Sequence, residues 1–146
     1  MFLGDILKTC PDEVFAVISV KDGKFKIRST KNRANTFYGL DSYFENKNKL
    51  NNPIIIVTES PHIDEFDIGD VYDWKTKELV QARPVNGISG QNILQYLCEI
   101  LTPSVHLSDG TYPVIIINAI TKQCSEGKDT LIARTRNFIK LWLYRR

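Results

Sequence analysis

The chain has 146 residues, a formal net charge of +2, 42% hydrophobic residues and 25% charged ones. That balance fits one ordinary globular domain and excludes a disordered or fibrous polypeptide. No apolar run approaches the ~20 residues of a membrane span and no basic-then-apolar leader opens the sequence, so a cytoplasmic protein without a membrane partner is expected. Cys10, Cys98 and Cys124 form no CxxC pair, which argues against a disulfide framework or a zinc or iron–sulfur site and suits a reducing compartment.

Taken in chain order, residues 1 to 10 read as a short helix ended by Pro11, with Phe2, Ile6 and Leu7 on one side. Val14 to Val20 and Phe25 to Arg28 read as two strands joined by an Asp22-Gly23 turn, the one antiparallel hairpin expected. Aromatics recur at loose helical spacing from Phe37 to Phe44. Pro53 then opens an unbroken β-branched run, Ile54 to Val57, of the kind buried on both faces of a parallel sheet. A long stretch from Ser60 to Gly90 follows, too aromatic for disorder (Phe66, Tyr72, Trp74) and of a length that is usually functional. A helix from Ser89 carries the stripe Ile93, Leu94, Leu97, Ile100 and Leu101, and Thr102-Pro103 is expected to stop it. Val114 to Ile117 is a second buried strand, and Thr130 to Tyr144 a last helix.

This order predicts a three-layer α/β domain with a mainly parallel central sheet flanked by helices, carrying an N-terminal antiparallel hairpin. In such sheets ligands bind beyond the carboxyl ends of the strands. Glu59 and Asn118, each placed just past a buried run, are therefore expected to share one crevice. From Thr121 onward there are seven basic residues (Lys122, Lys128, Arg134, Arg136, Lys140, Arg145, Arg146) against Glu126 and Asp129. A basic end suits a polyanion, and it equally suits a solvated terminal helix.

Three segments in register carry a resemblance. Thr58-Glu59-Ser60-Pro61-His62 follows a buried strand, Pro84-Val85-Asn86-Gly87-Ile88-Ser89-Gly90-Gln91 opens a helix, and Ile115-Ile116-Ile117-Asn118 ends a strand. Together, over roughly Pro53 to Arg136, they resemble the uracil-DNA glycosylase superfamily, where the corresponding motifs read GEAPG, PFVGRAGQ and a strand ending in asparagine. The resemblance implies a single uracil-DNA glycosylase-like domain that excises uracil or a related base from DNA, needs no cofactor, and has Glu59 and His62 as catalytic candidates. Asn118, Ser60 and Val85 would then contact the base, while Arg83, Gly87, Ser89, Gly90, Gln91, Arg134 and Arg136 would contact the nucleic acid.

The residue chemistry suits those roles. An amide presents one donor and one acceptor face, so Asn118 can meet a carbonyl and an imide N–H together. A carboxylate such as Glu59 can orient water and stabilise the cationic sugar formed as the C–N bond breaks. Backbone N–H groups at a helix start are a natural phosphate seat.

Four departures qualify the likeness. Val85 stands where the family stacks an aromatic ring on the base, and the four cluster-binding cysteines of the GEAPG branch are absent. Ser60 stands where the best-known branch has a second acid. The family's later histidine motif has no counterpart before Arg146, which leads one to expect a domain lacking its C-terminal part and a sheet edge open to homodimer formation. Three readings stay open: a base-excising N-glycosylase, a catalytically inactive relative that binds nucleic acid or a nucleotide, and an unrelated α/β domain whose crevice takes a metabolite or protein partner. His62 with Asp64 and Glu65 suggests metal ligands only weakly, since the spacing matches no defined site. The bland alternatives are a turn-forming Asn118, a solvated Glu59, and glycines that serve only turning and packing.

Overall fold

The computed structural model describes residues 9–31, 36–45, 49–121 and 139–143. The first described strands are β1 (Glu13–Lys21) and β2 (Lys24–Ser29), joined through Asp22 and Gly23, both with the positive φ that a tight hairpin turn requires. β3 (Thr36–Phe37) and the short helix α1 (Leu40–Glu45) follow, then β4 (Ile54–Thr58), a 3-10 turn (Ile63–Phe66), β5 (Val71–Asp73) and β6 (Leu79–Val80). The helix α2 (Ile88–Ser104) and the strand β7 (Gly110–Asn118) complete the main body, and residues 139–143 are helical.

The expected mainly parallel three-layer sheet is not what forms. The larger sheet has the order β2-β1-β7-β4, and only β4 and β7 run parallel, whereas β1 is antiparallel to both β2 and β7. The physical cause lies in β1. Its sequence EVFAVISVK is buried along most of its length, so β1 becomes a central strand and draws β2 in after it. The long stretch between β4 and α2 supplies a second sheet of order β3-β5-β6.

The two faces of the larger sheet are covered unequally. Under α2 lies the main core, with Ile18, Val20, Val114 and Ile116 against Ile93, Leu94, Leu97 and Leu101 of the helix. The opposite face has a smaller cluster of Val14, Tyr43 and Ile115 beneath α1. On β4, which lies at the sheet edge, Ile55 and Val57 are 55% and 62% exposed. The double-faced burial expected for that run therefore fails: alternate residues point to opposite faces, and α1 is too short to cover both strands of the parallel pair.

Two local features shape the functional end. A register shift between Val14 and Ala16 marks a bulge at Phe15, which turns Val14 to one face and Phe15 and Ala16 to the other. The Thr30 hydroxyl donates to the carbonyls of Val14 and Phe15 at 2.8 and 2.6 Å. α2 runs past Thr102-Pro103 to Ser104, because a proline in the last turn costs only one intrahelical bond and Val105 N–H still reaches Leu101 O. Among the described residues, no helix is long and apolar enough to cross a membrane.

Candidate functional site

The parallel pair β4–β7 sets Thr58 opposite Asn118. The ladder continues one step beyond the strands, with Ala119 N–H donating to Thr58 O at 2.8 Å and Ile120 N–H to Glu59 O at 3.0 Å. The backbones of Glu59 and Asn118 are thus held at adjacent strand ends. Asn118 is only 4% exposed and, by strand alternation, shares the α2-covered face with Val114 and Ile116. The Thr58 hydroxyl lies 2.6 Å from Asn118 Oδ1 and 3.2 Å from Ile117 O. The Asn118 amino group Nδ2 is buried and has no hydrogen-bond partner among the described residues. Leaving such a donor unmet costs about 1–3 kcal/mol, so a buried amide in this state is a site that a ligand carbonyl would complete. Glu59, by contrast, is exposed.

Two loops close around this end. Ser60 is half-buried and Pro61 is buried. His62 begins the 3-10 turn, its Nδ1 accepting from Asp64 N–H at 3.3 Å. That turn is stitched to the 83–85 segment: Arg83 N–H donates to Glu65 O, and Val85 N–H to Glu65 Oε1, both at 2.9 Å. Asn86 Nδ2 reaches Asp64 O and Asp67 O. From the other side Lys31 Nζ donates to Val85 O at 3.1 Å.

Val85 itself has φ +47°, a strained conformation for a β-branched residue. It is held there by Glu65 on its N–H and Lys31 on its carbonyl.

A buried charge cluster backs these loops. Glu13 is fully buried and Arg83 is 5% exposed, and they form an ion pair through Glu13 Oε1, with Arg83 Nε at 3.0 Å. Burial pushes the Glu13 carboxyl up, against the opposing pull of Arg83 and Lys31. Burial likewise raises Glu65, against the Val85 N–H bond and neighbouring cations, and it raises the Cys10 thiol, helped by Glu65 and Glu13. Desolvation brings Lys31 down to about 8, against the raising influence of Glu13.

Several expected contacts find other work here. The Arg83 guanidinium is turned inward onto Glu13 rather than outward to a phosphate, because a carboxylate buried at a core position requires a cation. Val85 packs in the main core rather than against a bound ring. His62 serves as the cap of the 3-10 turn. Gly87 precedes α2 without a side-chain cap bond, Ser89 and Gln91 are exposed in its first turn, and Gly90 is packed so closely on Val85 O that a Cβ would overlap it. Arg134 and Arg136 lie outside the described residues, as does Cys124.

The sequence reading missed Thr58 as the orienting hydroxyl and Glu13, Lys31 and Glu65 as supports. Glu13 alone carried a signal, being a charge at the head of an apolar strand. No group of three or more His, Cys, Asp or Glu side chains among the described residues is placed to hold a metal ion. Comparison with protein-family models, curated proteins and solved structures finds no match for this chain.

Proposed function

We propose that this protein recognises a uracil-like base of DNA at Asn118 and hydrolyses its N-glycosidic bond with the help of Glu59. One observation carries the reading: a buried, oriented amide whose donor end has no acceptor among the described residues closes β7, and Glu59 directly follows Thr58, its strand partner on β4. Thr58 occupies one lone pair of Asn118 Oδ1, which leaves the second for an imide N–H while Nδ2 meets a ring carbonyl. A base reaches such a site by leaving the stack, at a cost of a few kcal/mol. Glu59 would orient water toward the anomeric carbon. The water oxygen forms the new C–O bond, the C–N bond breaks with its electron pair leaving on the base, and a water proton is released.

Release of free base from uracil-containing single-stranded DNA is the direct test. The reading requires release that Glu59→Gln reduces by at least a hundredfold while binding persists, and that Asn118→Ala removes together with binding.

A second reading, binding without cleavage, is favoured by the core position of Val85, which leaves that place without a stacking ring. Tight binding of uracil-containing DNA with no release by the unmodified protein would establish it.

A further inference from the structure

The outer face of the β1–β2 hairpin is built differently from the rest of the surface. β2 alternates exposed Lys24, Lys26 and Arg28 with Phe25 and Ile27, and the last two pack against the main core. The register sets Lys24 opposite Lys21, Lys26 opposite Ser19 and Arg28 opposite Val17, and directly opposed residues share a face. Four cations therefore stand together on the side of the sheet away from α2. None of the four makes a side-chain hydrogen bond or ion pair with another described residue. Carboxylates stand at the turn end, where Asp22 N–H donates to Asp109 Oδ1 at 3.0 Å.

At its Arg28 end the row meets a cavity of about 390 Å³, walled by Val17 and Pro113 and by the rings of Tyr38 and Tyr43. Tyr38 is held by stacking on Trp74 at 5.9 Å between ring centres. The volume lies within the ~300–1,000 Å³ of small-ligand pockets, ample for one base. Neither Glu59 nor Asn118 lines it.

We infer that this face binds single-stranded nucleic acid, with phosphates along Lys21, Lys24, Lys26 and Arg28 and one base entering the cavity between the two tyrosines. Alternate residues of a strand repeat at about 6.7 Å, roughly the through-space distance between successive phosphates of one nucleic-acid strand, so the row can follow a phosphate backbone. A paired base enters the cavity only by leaving its stack, at a cost of a few kcal/mol, and a single strand avoids that cost. Cations that track a backbone, ending in aromatic rings that stack a base, are the parts of a sequence-tolerant single-strand site. An acidic peptide would satisfy the cations and leave the aromatic cavity unused. The inference goes beyond the Asn118 site and stands whether or not that site cleaves.

The test uses the full chain carrying Glu59→Gln and a short, fluorescent, uracil-free DNA strand, read by anisotropy, so it is blind to glycosylase activity. With four phosphates neutralised, affinity should fall about 50-fold between roughly 50 and 200 mM salt, and only about sevenfold in the Lys24→Gln/Lys26→Gln variant. Tyr38→Leu should weaken binding at least about fivefold without changing the salt slope, and Lys75→Gln on the smaller sheet should change neither. Because the lysines are exposed, folding of their variants is not at risk; circular dichroism melting verifies the tyrosine variant. The inference is overturned by a salt slope that Lys24→Gln/Lys26→Gln leaves intact. Duplex DNA, heparin or a poly-glutamate peptide binding as tightly as the single strand also overturns it.

Discussion

The Thr58 hydroxyl and the Asn118 side-chain carbonyl meet at 2.6 Å across the paired ends of β4 and β7. This bond fixes which way the amide faces, and its loss lets Nδ2 and Oδ1 exchange places. Thr58→Val, which keeps the shape and removes the hydroxyl, should therefore weaken binding of uracil-containing DNA by about tenfold and lower stability by about 1 kcal/mol. Thr58→Ser should restore both. Calorimetric titration of the two variants checks the contrast, and equal affinities would deny Thr58 its orienting role.

Asn118 separates recognition from stability. A buried donor left unmet costs about 1–3 kcal/mol, and Thr58 retains Ile117 O as an alternative acceptor at 3.2 Å. Asn118→Leu should then unfold in urea at an equal or higher concentration than the parent while losing base binding. A large loss of stability would show that the amide serves the fold, and the recognition reading would fall with it.

The Glu13–Arg83 pair makes a second, independent test. Arg83→Met leaves a buried carboxylate without its partner and should cost about 3–5 kcal/mol. Glu13→Leu combined with Arg83→Met should recover most of that loss, since an apolar pair removes both desolvation penalties. A double-mutant cycle in chemical unfolding measures the coupling. If Arg83 instead contacts phosphate, the single variant would lose DNA affinity with little change in stability.

The sequence announces local structure here better than it announces assembly. The strand at Ile54 to Val57, the Asp22-Gly23 turn and the α2 stripe of Ile93, Leu94, Leu97 and Leu101 were legible, because period and turn chemistry are local properties, whereas Ile100, expected in that stripe, is 61% exposed. Also legible was the backbone adjacency of positions 59 and 118, which needed only that two neighbouring strands run parallel. What stayed hidden was the placement of β1 between β2 and β7. An apolar run does not state which neighbour it will pair with, and the bulge at Phe15 that brings β1 into phase leaves no periodic trace. The exposed face of β4 was hidden for a related reason, since Ile55 and Val57 match their buried neighbours in type. Arg83 and Val85 looked like contacts to a ligand because the cluster that absorbs them draws on Glu13, Lys31 and Glu65, three separate segments.

Gly90 is needed for space rather than for backbone freedom. A Cβ there would overlap the Val85 carbonyl and lie 3.3 Å from the Phe15 ring. Gly90→Ala should lower stability by about 1–3 kcal/mol through overpacking, despite the ~1 kcal/mol that alanine contributes in a helix. The urea midpoint should drop at unchanged slope.

Lys31 gives the fold a distinct dependence on pH. Its ammonium is held below the ordinary lysine value, down to about 8, chiefly by desolvation. Between pH 8 and the ordinary value near 10.5 the unfolded chain therefore binds more protons than the folded one, so this group makes stability rise with pH across that window. Cys10 acts in the opposite sense above about pH 9, because its raised thiol keeps a proton in the folded state that the unfolded chain releases. The clean comparison is Lys31→Met against the parent. Lys31→Met removes the charge and keeps the stem over the Phe15 ring, which Lys31 Nζ overlies at 5.0 Å. The parent should gain about 1–2 kcal/mol relative to Lys31→Met between pH 8 and 10.5, a figure discounted because Lys31 is only partly buried. Urea unfolding at stepped pH measures it. Parallel profiles for the two proteins would mean that Lys31 keeps its solution behaviour and that its hold on the strained Val85 carbonyl is incidental.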